Sequence, residues 1–165
     1  VEELAERGID PDQTQADGMT ALHWAVFHGD EKTVRLLIDS KCDVNATTRY
    51  QVTPLSIACQ LGRPEGARQL LAAGANANFV QPGGVTLLMT AARTGNTDCV
   101  SHLLKNKADV NAAERRGQTA LMWAGAHQCC QAITGSRRRP QHGDASEVFR
   151  QSNATQRNFR FATGR

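Results

Sequence analysis

The sequence predicts an all-α solenoid of stacked helix-turn-helix units that are joined by extended turns or hairpins. The main observation is a 33-residue period, which a threonine, a leucine and an alanine of one short motif all keep: Thr20, Thr53, Thr86 and Thr119; Leu22, Leu55, Leu88 and Leu121; Ala25, Ala58, Ala91 and Ala124. A glycine and an asparagine farther along the unit keep the same step: Gly29, Gly62 and Gly95; Asn45, Asn78 and Asn111. Several residue classes therefore stay in phase. Because periods of about 20 to 50 residues are typical of repeat arrays, we expect one array of stacked units.

The first helix of each unit is predicted from its two ends. A threonine such as Thr20 can accept a hydrogen bond from an unpaired amide of the first turn, and Pro54 takes a position where its missing N–H costs nothing. Gly29 then supplies the left-handed conformation that ends a helix. The helix between these signals is short and rich in alanine, so it can lie close to neighbours on both sides.

The second helix follows directly and is predicted from charge and periodicity. Asp30 and Glu31 place negative charge at its N-terminus, where the helix dipole favours it. Apolar residues then recur on one face, at Val34, Leu37 and Ile38. Neither helix is long enough to be stable alone, so each unit must bury its faces against the next one.

The segment that closes each unit is predicted to be a turn. Asp43 and Asn45 have side chains that readily bond to nearby backbone. Just before this turn, Lys41 and Lys107 occupy the place of Gly8 and Gly74 in their own units, where a left-handed residue is expected to end the second helix.

The repeated motif resembles that of the ankyrin repeat family. Residues 20–25 (Thr-Ala-Leu-His-Trp-Ala) and 53–58 (Thr-Pro-Leu-Ser-Ile-Ala) are similar to the family's Thr-Pro-Leu-His-x-Ala, and residues 86–91 and 119–124 match it more loosely. The resemblance covers roughly residues 1–128 and implies an ankyrin-repeat solenoid. It also implies that His23 braces the threonine hydroxyls of adjacent units and is not a catalytic or metal-binding residue.

Counting from the motif divides the chain into units. Residues 1–13 are expected to be the end of a preceding repeat that is cut at the start of the chain. Repeats follow at 14–46, 47–79 and 80–112, and an incomplete repeat follows at 113–128. Beyond it the period stops, because Ser136 and Arg137 stand where two leucines are expected.

Residues 129–165 are predicted to be a basic, disordered tail. They contain seven arginines against Asp144 and Glu147, a net charge of +5, so the rest of the chain carries −2 of the total of +3. An alternative is that the tail is a repeat translated out of frame, since residues 131–142 can be encoded by bases that, shifted by one nucleotide, resemble residues 68–78. In that case the fourth unit has lost its second helix, and residues from about 129 should exchange their amides fast.

The sequence predicts no catalytic, cofactor or metal site. His127, Cys129 and Cys130 lack the second pair of ligands that structural zinc requires, and Asp43 and Asp109 lack the ligand spacing of a calcium loop. Gly83 and Gly84 do not form a phosphate-binding loop. Five cysteines at repeat or adjacent positions do not form a disulfide framework and favour a reducing compartment.

The resemblance implies that a partner protein docks on the concave side, on the turn tips and the outer edge of the first helices. By position, these are the following residues of the four units: Ala16, Asp17, Met19, Phe27 and His28; Arg49, Tyr50, Val52, Gln60 and Leu61; Pro82, Gly83, Val85, Arg93 and Thr94; Arg115, Arg116, Gln118 and His127. Phe27, Tyr50, Arg93 and Arg115 are of the types that dominate binding energies at interfaces.

Three functions follow from these observations. The first is a non-enzymatic, monomeric module that binds a protein on its concave face, without a membrane span. The second is the targeting arm of a larger enzyme or membrane protein. The third is a nucleic-acid binder that acts through Arg137, Arg138 and Arg139 in the basic tail. It is the least favoured, because no aromatic residue is interleaved with this run of arginines, although Phe149, Phe159 and Phe161 come later.

Overall fold

A computed structural model describes residues 12–124 and 129–136 and arranges them as consecutive helix pairs. The described helices are α1 (Ala21–His28), α2 (Glu31–Asp39), α3 (Pro54–Leu61), α4 (Pro64–Ala72), α5 (Leu87–Arg93), α6 (Thr97–Lys105), α7 (Ala120–Ala124) and α8 (Cys129–Ser136). Two short antiparallel strands, β1 (Val80–Gln81) and β2 (Val85–Thr86), precede α5. The predicted fold class is confirmed, while the division into units at 14, 47, 80 and 113 remains a partition made from the sequence.

The helix ends use the residues that the period repeats. The hydroxyl of Thr53 accepts a hydrogen bond from the Ser56 amide (3.1 Å), and the hydroxyl of Thr86 accepts one from the Met89 amide (3.2 Å). Gly29 and Gly62 follow α1 and α3 in the left-handed conformation, with φ of 73° and 65°. These caps satisfy backbone groups that a short helix would otherwise leave unpaired.

The core lies between two parallel rows of helices. The first helices (α1, α3, α5 and α7) pack in sequence against one another, and the second helices (α2, α4, α6 and α8) do the same. Leu22, Leu55 and Leu88 of the repeated motif are each about 1% exposed. Burial of a leucine is worth about 1.5–3 kcal/mol, so the packing between units supplies the stability that the single helices lack.

A ladder of hydrogen bonds joins the turns that close successive units. The side-chain oxygens of Asp12, Asn45 and Asn78 accept from the amides of Asp43, Asn76 and Asp109, and each bond is 2.8 Å long. The two asparagines also donate to the carbonyls of Gly74 and Lys107 (3.3 and 3.2 Å). These residues therefore act as structural connectors.

The left-handed conformation predicted at two lysines is present. Lys41 has a φ of 60° and Lys107 a φ of 62°, and Gly74 in the intervening unit has a φ of 92°. The amide of Lys41 donates to the Ile38 carbonyl (2.9 Å), as expected at a helix end.

His23 bridges two units by a route that differs from the expected one. Its Nδ1 lies 2.8 Å from the hydroxyl of Thr20 in its own unit, and its Nε2 donates to the carbonyl of Val52 in the next unit (3.1 Å). It does not bond to the hydroxyl of Thr53 in the next unit, because its one N–H, on Nε2, is donated to the Val52 carbonyl. Burial lowers the pKa of His23, which favours the neutral ring that these bonds require.

The expectation that the chain is disordered from residue 129 is wrong for its first eight residues. Helix α8 (Cys129–Ser136) takes the place of a second helix and packs against α6 and α7, so the fourth unit has not lost this element. Ile133 continues the 33-residue step of Val34, Ala67 and Val100 and is fully buried like them. A buried residue at position 133 therefore marks this helix, whereas the leucine pair expected at 136–137 does not. The expectations for residues 1–11, 125–128 and 137–165, including His127 and the three consecutive arginines, lie outside the described residues.

Candidate partner-binding groove

The tips of the four units form four reverse turns, which we call fingers 1 to 4: residues 15–19, 48–52, 81–85 and 114–118. Fingers 1, 2 and 4 are closed by backbone hydrogen bonds between their first amide and last carbonyl, from Gln15 to Met19 (2.9 Å), from Thr48 to Val52 (3.0 Å) and from Glu114 to Gln118 (2.9 Å). Finger 3 is closed by the pairing of β1 with β2. We call the fingers, together with the ends of the first helices at 27–28, 60–61 and 93–94, the groove.

Neighbouring fingers are bonded in two pairs. The Arg49 amide donates to the Asp17 carbonyl (3.1 Å), and the Arg115 amide donates to the Gly83 carbonyl (3.3 Å). At the equivalent place in finger 3 stands Pro82, which has no N–H to donate to Tyr50. Fingers 2 and 3 therefore lack the bond that joins the other pairs.

The junction between fingers 2 and 3 differs from the other two junctions in a second way. Gln51 has a φ of 56°, a conformation that glycines adopt in the other fingers. A Cβ atom at Gly18 would lie only 3.1 Å from the Thr48 Cα, and one at Gly84 would lie 3.3 Å from the Glu114 Cα. Since the side chain of Gln51 is accommodated, the junction between fingers 2 and 3 is less tightly packed than the junctions on either side.

Most of the side chains predicted to bind a partner are exposed in the groove: Phe27, His28, Arg49, Tyr50, Gln60, Leu61, Arg93, Arg115, Arg116 and Gln118. The other three, Met19, Val52 and Val85, are half-buried at equivalent finger positions and pack against the core. These three side chains therefore expose less surface to a partner, and they also hold the fingers against the core. Gln118 in the same position is also engaged, because its Oε1 accepts from the Trp123 indole N–H (2.9 Å).

Two tryptophans that were not among the predicted residues adjoin the groove. Trp24 lies 5.9 Å from Phe27 and 5.8 Å from His28, measured between ring centroids, and Phe27 and His28 are 5.4 Å apart. Trp123 lies beneath the guanidinium of Arg93, at 5.8 Å. The spacing of aromatic residues three and four positions apart on α1 was the sequence signal for the first cluster.

The charges of the groove are unequal. It carries four arginines (Arg49, Arg93, Arg115 and Arg116) and two carboxylates (Asp17 and Glu114). Each carboxylate is used within its own finger, where Asp17 accepts from the Met19 amide (3.0 Å) and Glu114 accepts from the Gln118 amide (3.4 Å). The guanidinium of Arg49 lies over the Tyr50 ring at 5.2 Å.

Metal-binding side chains are not grouped together in the described part of the chain. No group of three or more histidine, cysteine or acidic side chains there could hold a metal ion. Cys42, Cys59 and Cys99 are free thiols. The neighbouring thiol of Cys99, together with burial, raises the pKa of the Cys59 thiol well above its usual range, so this residue is not a reactive thiolate.

The sequence profile described as Ankyrin repeats (3 copies) matches residues 1–81 and, in a second match, residues 67–138. The chain belongs to the ankyrin repeat family. Proteins of this family generally mediate protein–protein interactions. Among the helices that the structure describes, none combines the length and apolar character needed to cross a bilayer.

Three relatives are similar to this chain over part of their length. The chain is 36% identical to mouse protein phosphatase 1 regulatory subunit 27 over 73 residues, which are 44% of this chain and 47% of the relative. It is 40% identical over 58 residues to the Caenorhabditis elegans homolog of transient receptor potential cation channel subfamily A member 1, covering 35% of this chain and 5% of the relative. It is 35% identical over 65 residues to the Drosophila melanogaster tyrosine-protein kinase Shark, covering 39% and 7%. The chain thus spans less than half the length of each.

Proposed function

We propose that this chain is a non-enzymatic interaction module and that a partner protein docks along the groove. The observation that carries the proposal is the exposure of large apolar side chains at groove positions. Phe27 is 45% exposed, Leu61 is 44% exposed and Tyr50 is 65% exposed. Packing between ankyrin units does not use these surfaces, so they are available to a second protein.

The types of exposed residue support the same conclusion. Tyrosine and arginine are enriched among the residues that contribute most to binding energy, because they combine a large contact area with a polar end. Arg49 and Arg93 each lie over an aromatic ring, which limits the conformations that must be fixed when a partner binds. The proposed anchors are therefore partly ordered before contact.

The proposal is tested with a double substitution in the groove and a matched one on the outer helices. Tyr50→Ala with Arg93→Ala removes two proposed anchors. Leu36→Ala with Arg35→Ala removes an exposed apolar residue and an arginine from α2, where Leu36 is 47% exposed. A partner is first captured from extract with the full chain, and its affinity for each variant is then measured by surface plasmon resonance.

We expect the groove variant to lose about 2 kcal/mol or more of binding free energy, close to a thirtyfold loss of affinity. The α2 variant should bind as the unsubstituted chain does, and both should unfold at similar temperatures. If the partner binds the groove variant unchanged, the groove is not the docking surface.

A second candidate function is the recognition arm of a larger protein. The lengths of two relatives favour it, since the repeats aligned with this chain occupy 5% and 7% of proteins named as a cation channel homolog and a tyrosine kinase. In that case the groove has the same binding role, and the activity belongs to another part of the protein. The complete open reading frame decides between the two candidates, because it shows whether a further domain is encoded.

A further inference from the structure

We propose that the groove binds an extended acidic segment of a partner protein, with an apolar anchor over the first unit and carboxylates over the third and fourth. The inference rests on the proposed function and adds to it the chemistry of the segment and its arrangement along the groove. Four observations carry it: arginines without a carboxylate partner among the described residues, the charge of the remaining surface, the position of the apolar cluster and the spacing of the units.

The arginines of the groove have no carboxylate partner within the described residues. The close ion pair in that part of the chain is Arg68 with Glu65 on α4, which lowers the pKa of Glu65 to about 2. Arg49 and Arg93 instead lie against Tyr50 and Trp123. A guanidinium held against a ring keeps its N–H groups free at the edge, and these groups match a carboxylate with two parallel hydrogen bonds.

The charge of the groove is opposite in sign to that of the rest of the array. Within residues 12–124, the groove has four arginines against two carboxylates, a net charge of +2. The remainder has seven lysines and arginines against eight acidic residues, a net charge of −1. An acidic segment is therefore attracted more strongly to the groove than to the other faces of residues 12–124, which favours both its orientation and its rate of association.

The aromatic cluster lies at the first-unit end of the groove, and three of the four arginines lie toward the other end, while Arg49 belongs to the second unit. The cluster of Trp24, Phe27 and His28 belongs to the first unit, whereas Arg93 belongs to the third and Arg115 and Arg116 to the fourth. Packed helices lie about 8–10 Å apart, so two to three unit steps span roughly 20–30 Å. An extended chain rises about 3.3 Å per residue, so the anchor and the carboxylates should be separated by roughly six to nine residues.

A single-stranded nucleic acid fits this surface less well. It carries phosphates along its whole length, and its binding sites combine stacking surfaces with positive charge that follows the backbone. Here the second unit contributes one arginine, Arg49, beside the uncharged Gln60 and Leu61, and finger 3 contains no charged residue. The distribution of charge thus favours a peptide whose apolar and acidic parts are separate.

The experiment is a selection of random 16-residue displayed peptides against the full chain. One enriched peptide is then synthesised with a fluorescent label, and its affinity is measured by fluorescence anisotropy. We expect the enriched peptides to contain an aromatic or leucine residue and, roughly six to nine residues away, two or more aspartates or glutamates. Affinity for the labelled peptide should fall when salt is raised from about 50 to 300 mM.

Charge-reversal variants test whether the peptide binds in the groove. Arg93→Glu and Arg115→Glu should each weaken binding roughly tenfold, and Phe27→Ala should weaken it by a similar factor. Arg35→Glu on α2 changes the net charge equally and should leave the affinity unchanged. A peptide with lysines in place of its acidic residues should bind the Arg93→Glu, Arg115→Glu double variant more tightly than it binds the unsubstituted chain, a gain that misfolding cannot produce.

Each of the other outcomes would overturn the acidic-segment inference, and one of them would also overturn the proposed function. Enriched peptides that need Phe27 but carry no excess of acidic residues would overturn this inference and leave the proposed function standing. Peptides whose binding is unaffected by every groove variant would overturn both. Failure to enrich any peptide, or tighter binding of a 20-nucleotide single-stranded DNA at the same arginines, would overturn the acidic-segment inference.

Discussion

The hydrogen-bond ladder between the closing turns makes a prediction about the coupling of units. In Asn78→Ala, the chain loses the bond from the Asp109 amide (2.8 Å) and the bond to the Lys107 carbonyl (3.2 Å). A net contribution of about 0.5–1.5 kcal/mol per bond, taken near the lower end because the turn is exposed, gives an expected loss of about 1–2 kcal/mol. Asn78→Asp keeps the acceptor and loses only the donor, so its loss should be about half as large.

The assay is urea unfolding followed by circular dichroism, with Asn106→Ala as the control. Asn106 donates to the His102 carbonyl (2.9 Å) within its own unit, so its removal breaks one bond without uncoupling neighbours. Substituting a connector between units should lower the unfolding midpoint more than this control does, and can also broaden the transition, because stability in repeat arrays depends on contacts between adjacent units. If Asn78→Ala lowers the midpoint no more than Asn106→Ala, the ladder does not couple the units.

Three further predictions concern stability, each measured by the same unfolding assay. Lys41→Gly should leave the free energy of unfolding unchanged or raise it by up to about 1 kcal/mol, because glycine relieves the left-handed strain but adds entropy to the unfolded chain. Gly74→Ala, the reverse change, should lose about 1 kcal/mol. A clear loss for Lys41→Gly would show that the lysine makes a stabilising contact. Burial holds the folded-state pKa of His23 below 6.5, so its contribution to the free energy of unfolding should be complete above about pH 6.5. That contribution should be lost as the pH falls toward the folded pKa, with a slope of at most about 1.4 kcal/mol per pH unit. His23→Gln should flatten this part of the plot of stability against pH, and an unchanged plot would contradict the assignment. Ile133→Ala should lose about 2–4 kcal/mol from the fourth unit if α8 is its second helix, and a loss below 0.5 kcal/mol, on the scale of surface substitutions, would argue against that packing.

The sequence allowed the repeating parts of the fold to be predicted, because the same physical requirement acts in every unit. The threonine caps, the left-handed glycines and the buried leucines recur every 33 residues, so each position is supported by three or four examples. The left-handed lysines could be predicted for the same reason, since a glycine in the equivalent place shows which conformation the backbone needs. Periodicity thus identified even residues whose own preferences argue against the observed conformation.

The parts that could not be predicted are those where one unit departs from the others. Helix α8 lacks the leucine pair that marks the second helices of the preceding two units, and Ile133 alone keeps the buried position of Val100. The left-handed conformation of Gln51 and the missing N–H of Pro82 occur at one junction between fingers, and the period does not express such a departure. The stacking of Arg93 on Trp123 likewise depends on side-chain geometry across units, which spacing along the chain does not specify.

The sequence predicted which residues belong to the candidate site, but it did not predict the contacts of their side chains. Phe27, Tyr50 and Leu61 were placed in the groove from the repeat alone, and their exposure agrees with that placement. The packing of Met19 and Val52 against the core, and the contact of Trp24 with Phe27, became evident only with side chains in place. The repeat determines the backbone position of each residue, whereas the contacts of the side chain determine how much of its surface a partner can reach.

Site-specific photo-crosslinking tests the groove most directly. A benzophenone amino acid is placed at Tyr50, which is 65% exposed in the groove, or at Leu36, which is 47% exposed on α2. The two chains are irradiated with the captured partner at equal concentration, and adducts are quantified by mass spectrometry. The groove account predicts partner adducts from position 50 and none above background from position 36. Adducts from position 36 without adducts from position 50 would contradict it.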